Sequence, residues 1–128
     1  MDLKKILVVE DDLFLRELYT DILTGEGYKV EAAADGEEAL QKIKVGGYDL
    51  ILLDIIMPKM DGLSVMRQVQ VTPPQNPNKC VVFLTNLDKE EEIKTALKLG
   101  NGYLIKSQIT PGSLVTEVKT YLNKYNQT

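Results

Sequence analysis

The sequence predicts an α/β protein, a doubly wound five-stranded parallel sheet with helices on both faces. Three observations carry that prediction. Short aliphatic runs of strand length alternate strictly with stretches of helical apolar spacing, five times over. One run, Leu50-Ile51-Leu52-Leu53, is apolar at every position, as a strand covered on both faces must be. Four of the five runs stop abruptly on polar residues: Glu10-Asp11-Asp12, Asp54, Thr85 and Lys106. In a parallel sheet those ends share one edge, where an open α/β sheet puts its chemistry.

The elements follow in order. Ile6–Val9 is a β-branched strand that ends in Glu10-Asp11-Asp12. Leu15, Leu18, Tyr19, Ile22 and Leu23 have helical spacing, and Gly25-Glu26-Gly27 stops that helix. Residues 28–33 form a second strand nearer an edge, because Lys29 and Glu31 alternate with apolar residues. Asp35 followed by Glu38 is a capping-box-like start to a helix carrying Ala39, Leu40 and Ile43, closed by Gly46-Gly47. The Leu50–Leu53 strand leads into Asp54, and Asp61-Gly62 opens a third helix through Leu63, Val65, Met66 and Val69. Residues 72–78 contain three prolines and no periodicity, a stiff connecting loop. Residues 80–84 are the fourth strand, ending at Thr85-Asn86. Asp88 with Glu91 predicts another capped helix through Ile93, Ala96, Leu97 and Leu99, stopped at Gly100. Gly102–Ile105 is a short fifth strand. Thr110-Pro111 pairs a cap with proline at the first helical position, and Leu114, Val115, Val118, Tyr121 and Leu122 follow. The polar residues 123–128 are expected to fray.

Composition narrows the function. A chain of 128 residues, 44% apolar, reads as one domain over 1–128, with no output domain. The net charge of −4 gives no basic footprint for nucleic acid and suits a site that holds a cation. Histidine is absent, which excludes Ser/His or Cys/His nucleophile systems and histidine-bound zinc. Cys80 is the only cysteine, so no internal disulfide forms; a buried core thiol in a cytoplasmic, reducing compartment is expected. No apolar run is long enough to span a membrane.

The converging strand ends bring together several carboxylates, a hydroxyl and an ammonium. Such oxygens suit a hard cation such as Mg²⁺. Asp54 can then act as a nucleophile toward a phosphoryl group, with Lys106 and Thr85 on the phosphoryl oxygens. The bland readings are a loop cap at Asp54, a solvated helix start at Glu10-Asp11-Asp12, a cap at Thr85, a surface lysine at Lys106 and plain strand packing for Tyr103.

The chain resembles the receiver domain of two-component response regulators, in its stand-alone, chemotaxis-type form. The resemblance rests on residues 6–12, residues 49–62, Leu84-Thr85 and residues 103–106. It implies a flavodoxin-like (βα)₅ fold with strand order 2-1-3-4-5. It implies a signalling switch, not an enzyme: Asp54 takes a phosphoryl group from a phosphohistidine on a sensor histidine kinase or phosphotransfer protein. Mg²⁺ would be held by Asp11, Asp54 and the backbone carbonyl of Ile56, with Glu10 acting through water. Thr85 and Lys106 would answer the phosphate, and Tyr103 would be the aromatic switch. The surface of the fourth helix, fifth strand and fifth helix would then change shape toward a downstream protein target. Leu99, Tyr103 and Val115 lie near the face the family uses for pairing, so a homodimer there fits the resemblance.

Departures from the family pattern shape further expectations. Ser107 follows Lys106 where proline after a cis bond is usual; a cis bond there costs about 3–4 kcal/mol, so trans is expected. Gly100–Tyr103 is one residue short, and the loop before Cys80 slightly long. Asn86 replaces a small residue and narrows access to the phosphate. Ile56 and Leu87 are apolar where the site is flanked, which predicts slow self-dephosphorylation. Three other readings compete with the switch. A degenerate receiver would bind partners constitutively; intact Glu10, Asp11, Asp54, Thr85 and Lys106 argue against it. A Mg²⁺-dependent aspartyl phosphatase would place a carboxylate where Ile56 stands. A flavin carrier would need a phosphate-cradling loop where Glu10-Asp11-Asp12 repels one.

Overall fold

The computed structural model describes residues 3–86 and 89–126. The order is β1 (Lys5–Val9), α1 (Leu13–Gly25), β2 (Lys29–Ala33), α2 (Gly36–Val45), β3 (Leu50–Asp54), α3 (Gly62–Val71), β4 (Val81–Thr85), α4 (Glu90–Leu99), β5 (Gly102–Ile105) and α5 (Pro111–Tyr125). The five strands are parallel in the order β2-β1-β3-β4-β5.

Alternation along each strand divides the core into two layers. Leu7 and Val9 of β1, Ile51 and Leu53 of β3 and Phe83 of β4 face one side, with Ala39, Ile43, Val65, Val69 and Ala96 from α2, α3 and α4. Ile6 and Val8, Leu50 and Leu52, Val82 and Leu84 face the other, with Leu23 of α1 and Leu114, Val118 and Leu122 of α5. β3 is buried at every position because it has neighbours on both edges and helices on both faces. Cys80 is buried, and burial pushes its thiol up to about 12, which fits an inert core thiol.

Most helix starts follow the caps expected of them. Asp12, Asp35, Asp61 and Thr110 each accept a backbone N–H from their own first turn. Glu38 reaches back past its cap to accept Ala34 N–H at 2.7 Å. Thr110 and Ser113 form a reciprocal capping box behind Pro111. The proline-rich loop is stitched to the α2–β3 turn: Gly47 N–H donates to the Asn76 carbonyl at 3.0 Å, and Asn78 bonds both Tyr48 N–H and the Ile43 carbonyl.

Several boundaries differ from expectation. β3 extends one residue to include Asp54, and β4 runs from Val81 to Thr85 because the ladder pairs Asp54 with Leu84 and Thr85 with Ile105. Asp88 lies outside the described residues; α4 begins at Glu90 with Lys89 in the cap position and no side-chain cap bond. Leu97 is half-exposed, so only Ala96 of α4 is fully buried. Of the tail expected to fray, residues 123–125 belong to α5, and Asn126 donates its side-chain amide to the Asp49 carbonyl at 3.2 Å. The anchoring bond comes from a residue whose partner is 77 positions away, beyond any local reading.

Candidate functional site at the C-terminal edge of the sheet

The three acids after β1 separate into three roles by geometry. Glu10 is fully buried, Asp11 is exposed, and Asp12 caps α1 by accepting Leu15 N–H at 2.9 Å. Asp54, at the end of β3, is 3% exposed. Glu10, Asp11 and Asp54 each offer a carboxylate oxygen within 4.8 Å of the others. With Ile56, Thr85, Asn86 and Lys106, the aspartates line an open pocket of about 270 Å³.

Lys106 ties the acids together. It follows β5 directly, in a 3-10 turn over Lys106–Gln108. No peptide bond among the described residues is cis, so Lys106–Ser107 is trans, as the cost of a cis bond predicts. The Lys106 ammonium donates to Asp54 Oδ2 at 3.0 Å and also pairs with Glu10 Oε1. Burial alone would lower the ammonium pKa; its bonds to Glu10 and Asp54 outweigh that and raise it. Glu10 is raised as well. Burial lifts its carboxyl to about 7, and the adjacent Asp54 carboxylate adds to the shift against the pull of Lys106.

This donor set fits a divalent cation. Lys106 pairs with Glu10 Oε1, while Glu10 Oε2 has no hydrogen-bond partner among the described residues. A buried carboxylate short of donors, next to two more carboxylates, is the arrangement that a hard cation or its water shell relieves.

The loop after β3 is shaped by contacts, not by space. A Cβ on Gly62 would overlap the Asp54 carbonyl oxygen, so only glycine lets α3 start this close to the end of β3. Gly62 N–H closes that loop on the Ile55 carbonyl at 2.8 Å. Lys59 takes φ of 69°, a left-handed backbone uncommon outside glycine. Its ammonium pairs with Asp35 at 3.5 Å across the gap to α2.

Asp11, Asp54, Thr85 and Lys106 meet at the pocket, with Glu10 buried against Asp54 and Lys106. Thr85 is buried on the last position of β4. The Ile56 side chain is 62% exposed on the rim. Asn86 is exposed on the pocket wall, while Leu87 lies outside the described residues. Tyr103 is half-buried on β5 against the α4-side core. Arg16 was not singled out. Its guanidinium donates to the carbonyls of Glu10 at 2.9 Å and Asp11 at 3.3 Å, pinning the acidic loop from the first turns of α1. Its only sequence signal is a basic residue shortly after the acidic run.

An open parallel sheet whose edge gathers carboxylates and one lysine defines a protein of the receiver class, and comparison with known proteins agrees. The family model for the response regulator receiver domain matches residues 6–119. The chain is 40% identical over 106 residues to the chemotaxis protein CheY of Treponema pallidum, covering 80% of this chain and 72% of that one. It is 35% identical over 127 residues to the transcriptional regulatory protein ResD of Bacillus subtilis, of which it spans 50%. Among solved structures, a CheY-like receiver domain protein from Methanospirillum hungatei superposes with a TM-score of 0.85 at 30% identity, covering 98% of each chain. The chain therefore belongs to the response regulator receiver domain family of two-component signalling.

Proposed function

We propose that the protein is a phosphorylation-dependent switch whose phosphoacceptor is Asp54. The observation that carries this is Asp54 itself: a buried carboxylate at the end of the central strand, bonded to Lys106 and grouped with Glu10 and Asp11. An Asp54 oxygen attacks the phosphorus of a phosphohistidine on a sensor kinase or phosphotransfer protein. The P–N bond breaks, its electron pair stays on the imidazole nitrogen, and that nitrogen takes up a proton. Asp11, Asp54 and the Ile56 backbone carbonyl would hold Mg²⁺, with Glu10 bonded through water; the ion supplies neutralisation of the charge that builds on the phosphoryl oxygens. Chemistry is confined to the protein's own phosphorylation and dephosphorylation in the cytoplasm.

The switch follows from charge. Phosphorylation adds about −1.5 to −2 charge and three acceptor oxygens beside Lys106 and Thr85. Lys106 moves from Asp54 to a phosphoryl oxygen, and the Thr85 hydroxyl swings to another. Tyr103, half-buried one strand away, turns toward the space that Thr85 leaves. The α4-β5-α5 face then shifts between two packings and changes its affinity for a downstream protein, or for a second copy of the chain.

Intact mass after incubation with acetyl phosphate tests the reading. The native protein gains a single phosphate adduct that requires Mg²⁺, and Asp54→Ala gains none. No adduct under any condition would transfer the weight to a constitutive interaction module. A second expectation concerns lifetime. The exposed Ile56 side chain orients no attacking water, so Ile56→Asn shortens the adduct half-life several-fold by adding polar groups at the rim. An unchanged half-life would count against that role.

A further inference from the structure

Two of the sequence departures meet in space. The Ser107 backbone N–H donates to Asn86 Oδ1 at 3.0 Å, across 21 positions of chain. The bond needs a backbone N–H at 107 and a side-chain acceptor at 86. Proline at 107 has no N–H to give, and alanine or glycine at 86 has no acceptor. The bond lies just past the last rung of the β4–β5 ladder, Thr85 with Ile105, and joins the residue after Thr85 to the second residue after Ile105. It therefore continues the pairing with a side chain just where both strands turn into loops.

The neighbours of this bond are the two residues that answer the phosphate. Thr85 precedes Asn86, and Lys106 precedes Ser107. Apart from its own pairing with Asp54 and Glu10, Lys106 is set by the short 3-10 turn it opens. Asn86 and Lys106 also line both the acidic pocket and the adjoining groove of about 450 Å³ beside α1. The wall between the two cavities is the segment the bond holds.

We propose that Asn86 is a positioning residue for phosphoryl transfer, acting through the Ser107 amide to hold Lys106 at Asp54. This rests on the reading of Asp54 as phosphoacceptor. It reverses the expectation that Asn86 is an obstruction at the pocket mouth. An obstruction removed speeds the reaction; a latch removed slows it.

The test is Asn86→Ala, followed by the rate of adduct formation from acetyl phosphate at saturating Mg²⁺ and by amide exchange at Ser107. Asn86 is exposed, so the variant should fold as the native protein does. The expected result is faster Ser107 exchange and a maximal rate lower by about three- to tenfold, the size set by loss of one modest hydrogen bond. The KM for acetyl phosphate and the Mg²⁺ affinity stay unchanged, which general destabilisation of the pocket would not leave intact. Asn86→Asp, which keeps the acceptor oxygen, restores the Ser107 protection. Adduct formation at or above the native rate in Asn86→Ala overturns the latch and leaves the phosphoacceptor reading standing. Absence of adduct in the native protein removes that reading and the latch with it.

Discussion

Lys106→Met lowers the stability of the metal-free protein at pH 8 by about 2–3 kcal/mol. Removing one partner of a buried ion pair typically costs about 3–5 kcal/mol, because the opposite charge stays buried without compensation. The figure here is smaller because the pocket opens to solvent on one side. The lysine side chain is 14% exposed, and the carboxylates of Glu10 and Asp54 that it pairs with are 0% and 5% exposed. Methionine keeps the length and the apolar stem and removes only the charge. Two dependences separate this from a packing defect. The loss shrinks at pH 5.5, where Glu10 carries a proton and one of the two negative charges is gone. It also shrinks in Mg²⁺, which replaces the lost cation. Urea unfolding at both pH values, with EDTA and with Mg²⁺, checks both. A loss independent of pH and metal would show that Lys106 contributes by packing alone. On the proposed phosphoacceptor role of Asp54, the same variant would form the adduct more slowly, since no ammonium would meet the phosphoryl oxygens.

Much of this protein is legible in its sequence because two periodicities do not overlap. The strands betray themselves as short apolar runs, and the helices by spacing. Strict alternation of the two leaves a parallel sheet as the economical arrangement. The site follows from topology. Glu10, Asp54, Thr85 and Lys106 are scattered over 97 positions, yet each ends a strand or directly follows one, so one sheet edge gathers them. What escaped the sequence was set by contacts between distant residues. Arg16 looks like a polar position on an exposed helix face until its guanidinium is found on the Glu10 and Asp11 carbonyls. Ser107 and Asn86 read as two separate departures, each unfavourable to a working site, and become a pair only when the loops are brought together. Asn126 reads as loose tail until the Asp49 carbonyl is found beside it. The exposure of Leu97 has a different origin. α4 packs against the edge of the sheet, not over its middle, so a narrower stripe of the helix is covered than its apolar content suggests.

The metal-free protein should lose stability as pH rises from 5 to 8, opposite to the usual trend on leaving acid. The sign follows from Glu10. Its carboxyl titrates near 7 in the folded protein and near 4.5 when exposed. Between those values the folded state holds a proton that the unfolded state has released, so raising the pH favours unfolding. The full difference is on the order of 2–3 kcal/mol, spread across the window. Other shifted groups do not compete there. Glu31 and Asp35 have lowered values, so their contribution is complete above the ordinary carboxylate range and is lost only at more acid pH. Lys106 is raised from 10.5, so its contribution persists throughout and falls away only in alkali. The chain has no histidine to confuse the reading. Mg²⁺ acts against the proton. Deprotonated Glu10 adds negative charge beside Asp11 and Asp54, so the ion binds more tightly as pH rises, by up to about tenfold per unit below 7. In saturating Mg²⁺ the stability profile should therefore flatten or reverse. Glu10→Gln removes the titrating group while keeping the shape, and its metal-free profile should be flat from pH 5 to 8. Chemical denaturation across that range decides the matter: a native protein with a flat profile in EDTA, or a Glu10→Gln variant with the native slope, would place the titration on some other group.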